Sequence, residues 1–169
     1  EHEIIVEADP NSVHSKEDRL AGYEAAMRLY NMNEQLAFIV DQIDAMKAST
    51  EKIMGMDLSK KLKESMEGFN NQLVDLKDPL VVMTGDNYVG TAEPLLREKI
   101  ASLYSNVANY VGRPSNAQMK SLVNLERQLN EAQAKFDNTV ESLKEINRKL
   151  EKAELAPIKV KSLEEFLRA

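Results

Sequence analysis

The sequence has no cysteine, no tryptophan and only two histidines. Without cysteine there are no disulfides, thiolate nucleophiles or Cys-ligated metals, although no compartment follows from that. His2 and His14 both precede the first helical pattern and read as solvated terminal residues. The inward-facing Glu-x-x-His pairs of a di-iron helical bundle are missing. A Ser/His/Asp triad would have to recruit His14, and no G-x-S-x-G elbow supports one. No apolar run approaches the roughly 20 residues of a membrane span, and no signal-peptide pattern opens the chain, so membrane insertion is not expected. A basic stripe is also lacking: 22 Lys and Arg stand scattered against 28 Asp and Glu, for a net charge of -6, which argues against a nucleic-acid partner. Glycine is sparse, and the one glycine-bounded stretch, Gly85-Asp86-Asn87-Tyr88-Val89-Gly90, lacks the Lys-Ser/Thr of a phosphate loop. Abundant carboxylates fall mostly opposite the apolar positions, where solvation or i,i+4 pairing accounts for them. No catalytic, cofactor-binding or metal-ligating residue is assigned.

What the sequence does contain is periodicity. Leu29, Met32, Leu36, Ile39, Ile43, Met46, Thr50 and Ile53 repeat at three and four positions. So do Leu122, Leu125, Leu129, Ala132, Phe136, Thr139, Leu143, Ile146, Leu150 and Ala153. That spacing puts each set on one stripe of a helix, and a stripe in water needs a covering partner. With 169 residues, 43% hydrophobic, the chain suits one bundle domain.

Local signals divide it further. Glu3-Ile4-Ile5-Val6-Glu7 reads as a strand ended by Asp9-Pro10-Asn11, so residues 1–14 form an extended strand or linker closing a preceding β domain. The chain starts at Glu1 without Met, which reads as a processed product or a piece of something longer. Residues 15–158 are the bundle. Ser15 with Asp18 caps a first helix running to Met54, with Gly55 at its end. Asp57 caps a second, bearing Leu58, Leu62, Met66, Phe69, Leu73 and Leu76 and stopping at Asp78-Pro79. A loop follows, and Thr91 opens a third helix that carries Leu96, Ile100, Leu103, Val107 and Tyr110 inward until Gly112. Ser115 with Gln118 starts a fourth, ending near Leu155 before Pro157. Residues 159–169 form a tail whose short helix is capped by Ser162 with Glu165.

The expected class is all-α: an antiparallel up-down four-helix bundle with two long outer helices, the first and fourth, and two short ones, plus a short N-terminal strand. The long helices reach about 55–60 Å and the short ones about 30 Å. Tight links at Gly55 and at Gly112-Arg113-Pro114 would both sit at one end. The far end, carrying both termini, would pair Tyr23, Met27 and Tyr30 with Leu143, Ile146 and Leu150. Met27, Met32, Met46 and Met66 read as core filler. Asn33, Asn70 and Asn147 read either as buried register-fixing contacts or as exposed groups at a frayed seam. Asn87, Tyr88 and Arg113 form the candidate docking surface.

Several of these patterns, taken in order, resemble the C-terminal helical region of bacterial sortilin-like proteins built on BNR-repeat β-propellers, glycosyl hydrolase- or sialidase-like in label. They are Asp9-Pro10, the Leu36 to Met46 ladder, Asn87-Tyr88, Arg113-Pro114-Ser115, and Ile146-Asn147 followed by Leu155-Ala156-Pro157-Ile158. Asn11 departs from the Arg expected after Asp-Pro. The resemblance implies a propeller N-terminal to Glu1, an exported parent in the periplasm or outside the cell, and hydrolase or binding chemistry located in that propeller. It carries no functional residue into this segment. The expected role is a non-catalytic accessory module whose partner is the β-propeller of the same polypeptide, with another protein or self-association as further partners. The alternative is a free-standing adaptor or chaperone-like protein gripping clients between its long helices.

Overall fold

The computed structural model describes residues 9–82 and 93–168. Five helices follow one another: α1 (Lys16–Met54), α2 (Lys60–Lys77), α3 (Leu96–Ala108), α4 (Asn116–Lys152) and α5 (Leu163–Leu167). The protein is all-helical, with two long helices and no strand among the described residues. The expected strand at residues 3–7 lies outside them.

Most helix starts are written in single residues. The Ser15 hydroxyl accepts from the Asp18 N–H at 3.0 Å, and Ser115 and Ser162 do the same for Gln118 and Glu165, both at 3.2 Å. Each satisfies a backbone donor that the helix itself leaves free. Two starts differ from expectation. Ser59 rather than Asp57 caps α2, accepting from the Leu62 N–H at 3.4 Å. α3 begins only at Leu96, where the Glu98 carboxylate reaches back to the Leu95 N–H at 3.2 Å; Thr91 is outside the described residues.

The apolar ladders close the core. Every named position of the first ladder is buried, as is every one of the second except Ala153, beyond the end of α4. Each fully buried Leu or Ile contributes about 1.5–3 kcal/mol toward offsetting chain entropy. Met32, Met46 and Met66 lie in this core, whereas Met27 is partly exposed.

The path of the chain departs from the up-down four-helix arrangement. Arg28 pairs with Glu126, Gln35 with Gln133 and Phe38 with Phe136. A constant separation of 98 positions along both helices means that α1 and α4 run parallel. Lys77 meets Asp44 and Lys149 meets Ser65, so α2 runs against both. α2 and α3 each pack on α1 and α4 but not on each other. The Arg97 N–H donates to the Leu80 carbonyl at 2.9 Å, which joins the end of α2 to the start of α3. The two short helices therefore form one interrupted rod, and the bundle has three rods. The physical reason is length: only together do α2 and α3 span what α1 and α4 span. The tight links consequently sit at opposite ends, the pairing of Tyr23, Met27 and Tyr30 with Leu143, Ile146 and Leu150 does not occur, and the helical termini are not gathered at one end.

After α4 the chain turns back. Glu154, at φ 58, takes the left-handed position, with Leu155 N–H bonded to Leu150 C=O at 2.9 Å and Glu154 N–H to Glu151 C=O at 3.0 Å. This is a Schellman closure with glutamate where glycine is usual. The tail then lies against α1 and α4. The Asn147 amide donates to the Ile158 carbonyl and accepts from its N–H, both at 2.9 Å. Buried Gln42 accepts from the Lys161 N–H at 2.8 Å, and Phe166 stacks edge-on to Phe38 at 5.8 Å. Asn147 is half-buried and pins the returning tail to α4, where a contact fixing the register between helices was one of the two expectations. Asn70 instead keeps a buried Oδ1 without a partner, and Asn33 is half-buried.

Gly68 sits inside α2 with open space where a Cβ would go. Gly68→Ala is expected to stabilise the protein by about 0.5–1 kcal/mol, because alanine loses less backbone entropy on entering a helix. A urea titration should show a higher midpoint at unchanged slope; a lower midpoint would mean that this face is not free.

Candidate interaction surface

Three features meet at the N-terminal end of α1. Ahead of the helix, the Asp9 side chain accepts from the Asn11 N–H at 2.9 Å and the Asp9 carbonyl accepts from the Ser12 N–H at 3.1 Å, which shapes the turn into α1. The Arg19 guanidinium bonds the Ser12 hydroxyl at 3.2 Å and the His14 carbonyl at 3.4 Å, tying that turn to the helix. From the α3–α4 link, Gly112 lies against Gly22 of α1 so closely that a Cβ built on Gly22 would stand 2.7 Å from the Gly112 carbonyl oxygen. Two glycines at this crossing let backbone approach backbone.

His14 is not a free terminal residue. It is half-buried, and its ring meets Tyr110 edge-on at 5.3 Å and 75°. Arg113 reaches Asp18 through Nε at 2.8 Å. That hydrogen bond, helped by the one from Ser15, holds the Asp18 carboxyl below the usual carboxylate range. A lowered folded-state value favours folding above the ordinary carboxylate range, and the contribution disappears as pH falls through the lowered value. The pair is exposed, so its main consequence is orientation of the link.

Outward from this braced end runs a stripe of apolar side chains: Leu20, Tyr23, Met27 and Tyr30, at 52%, 63%, 37% and 43% exposure. Their three-and-four spacing keeps them on one side of α1, displaced from buried Gly22, Ala25 and Leu29. Tyr30 donates to Glu34 at 2.7 Å, and this bond to a carboxylate raises its phenol above the ordinary range. Val13, Tyr110, Val111 and Val123 add exposed apolar surface at the same end of the bundle; Tyr110, expected to face inward, lies beyond the end of α3 and is 51% exposed. Tyrosine and methionine suit protein contact, presenting large apolar area, and for tyrosine a polar tip as well.

Arg113 of the expected docking set is present here, committed to Asp18; Asn87 and Tyr88 lie outside the described residues. The stripe is the part that sequence reasoning placed wrongly, since Tyr23, Met27 and Tyr30 were expected inside. Their offset from Ala25 and Leu29 is the signal that separates the two faces.

The other concavities are open. A groove of about 610 Å³ between α3 and α4 has an apolar floor that includes Leu103 and Leu125, with polar side chains such as Glu98, Lys99, Ser102 and Asn124 around it. Among the described residues no group of three or more His, Asp or Glu side chains could hold a metal ion, and no helix is long and apolar enough to cross a membrane. No protein-family model, curated protein or solved structure matches the chain.

Proposed function

We propose that this segment is a non-catalytic helical accessory module of a larger exported protein, and that it docks through its tyrosine-bearing end onto a β domain preceding Glu1. The observation that carries the reading is the stripe Leu20, Tyr23, Met27 and Tyr30 beside the point where the chain enters α1. A domain joined there by a short linker is held at high effective concentration over that face, so modest apolar contact suffices to keep it docked. The resemblance to the helical region of BNR-repeat β-propeller proteins supports the nature of that domain and a periplasmic or extracellular setting. The role is positioning, and the chemistry belongs to the propeller.

The alternative, a free-standing adaptor holding clients between its long helices, has weaker support. α1 and α4 pack directly on each other, and the tail covers their shared groove along its C-terminal part.

The test compares the whole polypeptide with residues 1–169 alone. Mass-resolved hydrogen exchange and tyrosine nitration should show residues 20–30, and Tyr23 and Tyr30 in particular, protected at least fivefold in the longer protein. Equal protection and equal nitration in both would overturn the docking.

A further inference from the structure

The tail after Glu154 is held by contacts that do not depend on its being covalently joined to the α4 it covers. Two side-chain amides, Asn147 and Gln42, bond its main chain at Ile158 and Lys161, while Ile158 is buried in the core and half-buried Phe166 packs edge-on to Phe38. The groove thus accepts an extended segment as a separate element.

The hinge opposes the turn it makes. Glu154 is the only non-glycine residue at positive φ among those described, at 58°, a conformation that crowds its Cβ. Glu154 and Leu155 are strong helix formers, and Pro157, which disfavours helix at Ala156, would end a helix continued through them. Local preference in the hinge therefore favours a longer α4, with the tail projecting away from its own groove. A short strained hinge of this kind favours exchange of the element it joins.

We propose that residues 155–168 are exchanged between two copies of this chain, each tail seating in the α1–α4 groove of the other copy with Glu154 as the hinge. Every tail contact is remade in the pair, and the left-handed turn is released twice. The occupant is a second copy because the groove's amides and apolar sites already match this tail. The cis arrangement is the monomeric form of the same interaction, and concentration decides between them.

Sedimentation velocity on residues 1–169, refolded from urea at micromolar and at several hundred micromolar concentration, tests the exchange. A dimer should grow with refolding concentration and dissociate slowly on dilution. Glu154→Gly, which relieves the turn and weakens helix continuation, should lower the dimerisation constant at least tenfold. Ile158→Asp, which spoils the tail and leaves the three rods intact, should leave only monomer. Monomer at every concentration in the unsubstituted chain, or a dimer indifferent to either substitution, overturns the proposal. A dimer that survives Ile158→Asp but is lost with Tyr23→Ser would assign association to the tyrosine stripe instead.

Discussion

Phe136→Ala is expected to lower the free energy of unfolding by about 3–5 kcal/mol, the range for removing a large side chain from a packed core. Phe136 is 3% exposed and lies midway along α4, where it meets the edge of Phe38 at 5.7 Å and 73°. Phe38 in turn contacts Phe166, so these rings connect the α1–α4 seam to the tail. The truncation should therefore leave a cavity in the seam and loosen the tail as well. Urea unfolding gives the first quantity, and limited proteolysis within residues 155–162 reads the second. A double-mutant cycle with Phe38→Ala should return a coupling of about 0.5–1.5 kcal/mol for the edge-on pair. Phe136→Asp, which places a charge at the same point, should abolish the cooperative transition. A loss below about 1 kcal/mol for the alanine variant would show that the site collapses freely and that the seam is not close-packed.

What the sequence made legible follows from which interactions are local. A three-and-four ladder is a property of one helix, so the burial of Leu29 through Ile53 and of Leu122 through Leu150 could be read without knowing any partner. The caps at Ser15, Ser115 and Ser162 are likewise contained within four residues. Chain direction is not local. Whether α3 reverses beside α2 or extends it depends on contacts such as Arg97 to Leu80 around an aperiodic connection, and on the shared register of α1 and α4. Taken one at a time, the helix lengths allow both paths; summing α2 and α3 favours the interrupted rod.

The exposed stripe on α1 was harder still, because hydropathy records that a side chain is apolar and not which side of the bundle it occupies. Tyr23, Met27 and Tyr30 form as good a ladder as the core residues beside them, yet they stay exposed. Gln42 and Asn147 posed a related problem. Each looks like a polar interruption near a core stripe until the returning tail supplies the backbone groups that they bond.

Gly22→Val is expected to destabilise the protein by about 2 kcal/mol, opposite in sign to Gly68→Ala although both remove a glycine from a helix. At Gly68 the new carbon meets nothing within 4 Å; at Gly22 even the first carbon would come within 2.7 Å of the Gly112 carbonyl oxygen. That oxygen belongs to backbone and cannot rotate aside. Gly112 is itself hemmed in, since a Cβ there would lie 2.6 Å from the His14 ring and 2.9 Å from the Tyr110 ring. The α3–α4 link must therefore move as a unit, separating Arg113 from Asp18 and Tyr110 from His14, and the small gain in helix propensity does not offset the strain. Thermal unfolding should fall by roughly 4–8 °C, scaled from the 2–4 °C per kcal/mol typical of a domain this size. Hydrogen exchange should quicken in residues 109–115 while the C-terminal half of α1 stays protected. Unchanged exchange in the link, with wild-type stability, would mean that α1 and the link do not meet backbone to backbone, and the braced end from which the tyrosine stripe projects would lose its physical basis.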